Sequence, residues 1–136
     1  MKITSPQTRV NLPASKLFEM AGNLRNFTCY MSDQVKDINV SKDTCTFTIE
    51  NLAQITLKIL EKTPFNQIRY VAENSQNIPL FLTLNYAAVS ENETEVEVEI
   101  DMDIPIFLKP VVQKPLENFV KTLSEKIKTE AEKNEL

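Results

Sequence analysis

The sequence predicts an α+β domain, in which a seven-stranded curved antiparallel sheet wraps one long C-terminal helix and two short helices follow the first strand. Residues 108–136 carry apolar side chains at helical spacing. Residues 34–104 instead alternate between apolar and polar side chains, which is typical of half-buried strands. Between the first strand and this region, Pro13 and Gly22 delimit a short helical segment.

The C-terminal helix is predicted by a one-sided distribution of apolar residues. Its apolar residues are spaced by three and four positions, so they lie on one stripe of the helix. They are Val112, Leu116, Phe119, Val120, Leu123 and Ile127. The opposite face carries Lys114, Glu117, Lys121, Glu125, Lys128 and Glu132. Because Pro115 cannot donate a backbone hydrogen bond, we expect the helix either to begin near Pro110 and bend, or to begin in full near Pro115.

Seven segments read as strands, beginning with Lys2 to Leu12, which Pro13 ends. The second is expected to break near Asp37. Short polar turns join the later strands, which favours an antiparallel meander with one wet face. The residues expected to face inward are, strand by strand, Thr8, Val10 and Leu12; Val35, Ile38 and Val40; Cys45, Phe47 and Ile49; Ile55, Leu57 and Ile59; Ile68, Tyr70 and Ala72; Leu80, Leu82, Leu84 and Tyr86; and Val96, Val98, Ile100, Met102 and Ile104.

The first short helix is expected to start at Pro13 or Ser15 and to end at Gly22, the single glycine of the chain. A glycine at this position typically adopts the left-handed conformation without strain. Asn23 is then expected to cap a second short helix, with apolar side chains on one face at Leu24, Phe27, Tyr30 and Met31.

Composition excludes several function classes. The 136 residues suffice for one domain, 1–136, and the net charge of -4 with a pI near 4.9 argues against a nucleic-acid binder. The chain contains no histidine, so the commonest metal ligand and general base are both missing, and we expect neither a metal nor a cofactor. Cys29 and Cys45 are expected to be reduced. With no apolar leader or membrane-length segment in the sequence, we expect a cytoplasmic protein.

The order of these elements resembles that of the START-like (SRPBCC) superfamily, which has the helix-grip fold and includes the birch pollen allergens and the polyketide cyclase/dehydrase-like proteins. The similar segments are RVNLPASKLFEMAGN (9–23), TEVEVEIDMDIP (94–105) and PLENFVKTLSEKIK (115–128). The pollen-allergen branch has a glycine-rich loop after its second or third strand. No glycine occurs there in this chain, so we do not assign it to that branch. The resemblance implies an apolar cavity between the sheet and the long helix.

The predicted function is the binding of a hydrophobic small molecule, lipid-like or polycyclic, in that cavity. Its specificity would come mainly from the hydroxyl groups of Tyr70 and Tyr86, although ordinary core packing is the alternative for both residues. The expected walls are Phe47, Leu57, Tyr70, Leu84, Tyr86, Val98, Ile100, Leu116, Phe119 and Leu123, with Phe27, Tyr30 and Met31 at the mouth.

Two other functions stay open at this point. A cyclase or dehydratase would need an acid or base in the cavity, and the inward positions contain no carboxylate, lysine or arginine. This shortage favours a binding protein over an enzyme, unless a loop residue reaches in from Asp33, Asp37, Arg25 or Arg69. A protein-binding module would instead be supported by an exposed apolar patch at Ile104, Ile106, Phe107 and Leu108.

Two further features have a structural interpretation that we favour. The acidic stripe, defined as Glu95, Glu97, Glu99, Asp101 and Asp103, resembles a cation site, but its neighbouring carboxylates are roughly 6.6 to 6.8 Å apart along a strand. A solvated sheet face countered by Arg9 or Lys2 is the better interpretation. Cys45 is likewise expected to be a core residue, because no histidine is present to activate its thiol.

Overall fold

The structure is a computed structural model that describes residues 1–26, 30, 35–41, 43–49, 53–74 and 77–133. The strands are β1 (Lys2–Thr4), β2 (Thr8–Val10), β3 (Val35–Val40), β4 (Cys45–Ile49), β5 (Ala53–Thr63), β6 (Gln67–Asn74), β7 (Leu80–Ser90) and β8 (Glu93–Met102). Helix α1 spans Ala14–Ala21 and helix α2 spans Lys109–Lys133, and 3₁₀ turns occur at Leu24–Asn26 and Ile106–Leu108.

All strands belong to one antiparallel sheet, in the order β1-β8-β7-β6-β5-β4-β3. Strand β2 also pairs with β8, beyond the end of β1. Helix α2 packs across β8, β2 and β1. The predicted architecture, a curved antiparallel sheet with a long C-terminal helix, is therefore confirmed, although the sheet contains eight strands rather than seven.

The additional strand arises because the predicted first strand is interrupted. Pro6 has no N–H to donate, and between β1 and β2 the side chain of Ser5 replaces a backbone acceptor. The Ser5 N–H donates to the carbonyl of Val98 at 2.8 Å, and the Val98 N–H donates to Ser5 Oγ at 2.9 Å. The strand predicted over 2–12 thus consists of two three-residue strands, and it ends at Val10 rather than Leu12.

The first short helix starts after Pro13, and no side chain caps it, so Ser15 does not start it. Gly22 ends this helix as predicted, but its φ of -72° is right-handed, so the expected left-handed conformation is wrong. The space beside the glycine is tight. A Cβ atom there would lie 3.2 Å from Lys62 Nζ and 3.3 Å from the carbonyl oxygen of Phe18.

The second predicted helix is described only in part. Its start is a 3₁₀ turn, Leu24–Asn26, and the side chain of Asn23 accepts a hydrogen bond from the N–H of Arg25 at 3.1 Å. Tyr30 is helical and buried. Phe27 and Met31 lie outside the described residues.

Helix α2 begins at Lys109 and contains Pro115, as in the first of the two predicted alternatives. The predicted stripe is its buried face, since Leu116, Phe119, Val120, Leu123 and Ile127 are all buried and Val112 is half-buried. The inward positions of the strands are also buried, except that Thr8, Ile38, Val40 and Ile59 are half-buried. The break expected near Asp37 is confirmed by its φ of 56° and by a shift of the β3–β4 register there.

Candidate functional site

A small apolar void lies between the sheet and the first half of α2. It comprises about 20 Å³, which is room for about one water molecule. Typical small-molecule sites start at roughly 300 Å³. The residues that line it are all apolar and come from α2 and from five adjacent strands, β4 to β8. They are Phe47, Ile49, Ile55, Leu57, Ala72, Leu80, Leu82, Ile100, Leu116 and Phe119. The cavity implied by the family resemblance is therefore nearly filled.

Two of the lining residues are phenylalanines that contact each other. Phe47 on β4 and Phe119 on α2 stack with their ring centres 6.0 Å apart and their planes 14° from parallel. Phe47 is fully buried, and Phe119 is nearly so. Because one ring belongs to the sheet and the other to the helix, this stack closes the interior at the interface where a ligand would lie.

The predicted wall residues fall into two groups. Those that line the void are Phe47, Leu57, Ile100, Leu116 and Phe119. Those that are buried in the core without lining it are Tyr70, Leu84, Tyr86, Val98 and Leu123, and Tyr30 is buried as well rather than placed at a mouth. Sequence reasoning did not select the other lining residues, Ile49, Ile55, Ala72, Leu80 and Leu82. All five are among the positions that the alternation predicts to face inward on their strands.

The tyrosines provide the polar groups of the interior. The hydroxyl of Tyr70 donates a hydrogen bond of 2.8 Å to the backbone carbonyl of Ala21 at the end of α1. Burial raises the pKa of Tyr70 well above its usual value, and the nearby Tyr86 and Tyr30 raise it further. Burial and Tyr30 also raise the pKa of Tyr86. Both hydroxyl groups are therefore neutral hydrogen-bonding groups at physiological pH, and neither is a base.

No described side chain supplies a catalytic base in the interior. Burial raises the pKa of the Cys45 thiol to about 11, so the group is neutral and weakly nucleophilic. Arg25 and Asp37 are exposed. Arg69 lies on the outer face of the sheet, where its guanidinium is 5.5 Å from the ring centre of Phe81. Asp33 lies outside the described residues.

The acidic stripe is partly countered by the two cations predicted for it. Arg9 contacts Glu95 at 3.0 Å, and Lys2 contacts Glu99 at 3.6 Å. Among the described residues, no cluster of three or more cysteine, aspartate or glutamate side chains is arranged to hold a metal ion. The geometry is that of a solvated sheet face.

Two larger depressions lie at the surface. One, of about 530 Å³, is lined by Gly22, Asn23, Leu24, Asp43, Lys58, Ile59 and Lys62. The other, of about 350 Å³, follows the connection between β6 and β7. Both have polar or charged side chains in their walls and open to solvent, so neither provides the enclosed apolar surface that suits a hydrophobic ligand.

An apolar surface does occur where α2 begins. Ile106, Phe107 and Val111, together called the apolar tip here, are 79%, 76% and 64% exposed. Of the four residues whose exposure would support a protein-binding module, Ile106 and Phe107 are exposed. Ile104 is buried instead, and Leu108 is half-buried against the core.

Comparison with known proteins identifies the fold. The chain aligns over 98% of its length with 98% of a START superfamily protein from Mycobacterium smegmatis, at a TM-score of 0.74 and 10% identity. The chain has the START-like fold. Its START-like architecture also matches a protein from Thermus thermophilus, over 100% of both chains, at a TM-score of 0.79 and 16% identity. A third match is the Zhui aromatase/cyclase from a Streptomyces species, covering 98% of this chain and 94% of that one, at a TM-score of 0.72 and 10% identity.

No protein-family model and no curated protein matches the sequence. Within the described part of the chain, no helix combines the length and hydrophobicity that crossing a membrane requires.

Proposed function

We propose that the protein binds an apolar small molecule, lipid-like or polycyclic, between α2 and the sheet. The observation that supports this most directly is the void itself, because all the residues lining it are apolar. Burying a ligand there would remove apolar surface from water without leaving a buried charge unpaired. The START-like fold, shared with a protein named as an aromatase/cyclase, supports a ligand site at this interface.

Binding requires the interior to open, since about 20 Å³ cannot hold such a ligand. The Phe47–Phe119 stack is the contact that must separate, because it joins the sheet to the helix across the void. On α2, Pro115 lies one helical turn before Phe119, and it donates no hydrogen bond to the carbonyl of Val111. The start of α2 can therefore move relative to Leu116 and Phe119 without losing a hydrogen bond at that point.

Titration with Nile red, an uncharged fluorescent dye that responds to its environment, tests the proposal. Ala72 lines the void, so Ala72→Val narrows it, whereas Ala131 is buried near the other end of α2 and does not line it. We expect saturable binding by the wild type, a loss of affinity of about tenfold or more in Ala72→Val, and a change within about twofold in Ala131→Val. Circular dichroism checks that both variants fold.

The dye must also be shown not to sit on the apolar tip. The variant Ile106→Ser/Phe107→Ser removes the exposed side chains and leaves the void intact, so dye binding that survives in it is assigned to the interior. Absence of saturable binding by the wild type, or an equal loss in Ala72→Val and Ala131→Val, would overturn the proposal.

A second candidate is a protein-binding module without a ligand. It is favoured by two observations together, the nearly filled interior and the exposed side chains of Ile106 and Phe107. A cyclase or dehydratase receives less support, because three titratable groups of the interior, Tyr70, Tyr86 and Cys45, have raised pKa values and are neutral at physiological pH. Failure of the dye titration would move the assignment to the protein-binding module.

A further inference from the structure

The apolar tip combines protrusion with hydrophobicity. A 3₁₀ turn, closed by a 3.0 Å hydrogen bond from the N–H of Leu108 to the carbonyl of Pro105, holds Ile106 and Phe107 outward. Two nearby apolar residues, Leu108 and Val112, pack against the core and fix the base of the turn. The tip is therefore a short, supported projection of apolar side chains at one end of the molecule.

The segment that carries the tip differs in charge from the acidic stripe, which ends just before it at Asp103. Residues 104–114 contain Lys109 and Lys114 and no aspartate or glutamate, although the chain as a whole has a net charge of -4. Lys114 is exposed, and Lys109 is half-buried. Protruding apolar side chains flanked by cations fit the interface of an anionic lipid bilayer, where the apolar groups enter the acyl region and the lysines meet the head groups.

The tip also adjoins the void. Leu116 and Phe119, which line the void, follow Val111 on α2 by about one to two helical turns. A bilayer that held the tip would therefore lie at the same end of the molecule as the apolar interior. The choice of lipid over a protein partner rests on the proposed function, because an acyl chain would suit both the tip and the void.

We propose that Ile106 and Phe107 insert into the interface of an anionic bilayer, and that Lys109 and Lys114 contact its head groups. Docking by the tip does not depend on ligand binding in the void, so the two proposals can fail separately. Since the chain contains no tryptophan, Phe107→Trp places a single fluorescent reporter at the tip. Val89→Trp is the matched control, because Val89 is exposed by 45% and lies near the hairpin at the end of β7.

The experiment uses vesicles of phosphatidylcholine alone and vesicles containing 30% phosphatidylserine. We expect a blue shift of Phe107→Trp emission, and its quenching by brominated acyl chains, with the anionic vesicles only, and no change for Val89→Trp. In sedimentation, Ile106→Ser/Phe107→Ser should bind anionic vesicles about tenfold or more weakly than the wild type. Lys109→Gln/Lys114→Gln should lose the preference for phosphatidylserine.

Three results would overturn the proposal. These are no sedimentation of the wild type with anionic vesicles, an equal spectral change at both tryptophan positions, or self-association in light scattering that Ile106→Ser/Phe107→Ser removes without any vesicle binding. The last result would assign the tip to a second copy of the chain. Because the Nile red titration contains no vesicles, its outcome is independent of all three.

Discussion

The two halves of α2 are held in different ways. Near its C-terminal end, Lys128 Nζ donates to the carbonyl of Arg9 at 2.8 Å and contacts Glu132 at 2.7 Å. Glu132 also accepts a hydrogen bond of 3.1 Å from the N–H of Asn11, which ties the helix to the chain after β2. At the other end, the first turns contain Pro115 and carry the exposed apolar tip.

This difference indicates under which half of α2 the interior can open. The C-terminal half of α2 is fixed by hydrogen bonds to a neighbouring segment and by the fully buried Leu123, Ile127 and Ala131. The void lies under the first half instead, where Leu116 and Phe119 meet the sheet. Opening at the first half would leave the hydrogen bonds of the second half in place.

The largest expected loss of stability comes from substituting Phe119, near the boundary between the two halves of α2. Phe119→Ala removes a ring that is 6% exposed and stacked on Phe47, so we expect a loss of about 3–5 kcal/mol in the free energy of unfolding. Urea denaturation measures this, with the exposed Lys121→Ala expected to stay within about 0.5 kcal/mol of the wild type. A loss below about 1 kcal/mol for Phe119→Ala would show that this face of α2 does not form the core.

An intermediate loss of stability is expected at Tyr70, whose hydroxyl bonds the end of α1 to the sheet. Tyr70→Phe leaves the carbonyl of Ala21 without its 2.8 Å partner in a buried position. The free energy of unfolding should fall by about 1–3 kcal/mol, the cost of a buried polar group left unpaired. Thermal or urea denaturation measures the change, and an unchanged circular dichroism spectrum serves as control. A stability equal to that of the wild type would mean that this hydrogen bond does not hold α1.

The smallest expected effect tests the fixed end of α2. The hydrogen bond from Lys128, together with that from the N–H of Asn11, lowers the pKa of Glu132 in the folded protein. A carboxyl whose folded pKa is lowered stabilises the fold above its unfolded pKa, and this contribution is lost as the pH falls through the folded value. Glu132→Gln should therefore be less stable than the wild type at pH 7, by roughly 0.2–1 kcal/mol for such a surface pair.

The pH dependence separates this charge effect from a packing effect. Because the folded pKa lies below the reference value of 4.5, the difference between wild type and Glu132→Gln should disappear in strongly acidic buffer. Urea denaturation at pH 7 and near pH 3 makes the comparison. A difference that persists unchanged at low pH would show that the carboxylate charge does not anchor this end of the helix.

The sequence predicts the fold well because its strongest signals are local. The alternation in β8 and the stripe through Phe119 each depend on a few neighbouring residues, and both place the correct side chains in the core. The break in the first strand also had a local signal, since Pro6 is a poor strand residue.

The site is less predictable because it depends on tertiary packing. Whether Phe47 and Phe119 enclose a cavity or fill it is decided by the summed volumes of side chains from distant segments, which no spacing rule expresses. The bond between Tyr70 and Ala21 joins positions 49 residues apart. The sequence also marks Ile104, Ile106, Phe107 and Leu108 as one candidate patch, and only tertiary packing decides that Ile104 is buried while Ile106 and Phe107 are exposed.

The interruptions of the two outermost strands bear on how the protein behaves at high concentration. An outer strand with a long row of unpaired N–H and C=O groups is a template for another chain, and it promotes aggregation. Here Pro6 separates two three-residue strands on one side of the sheet, and the irregularity at Asp37 divides the six-residue β3 on the other. Within the described residues, neither side offers a continuous strand to which a second molecule could add its own.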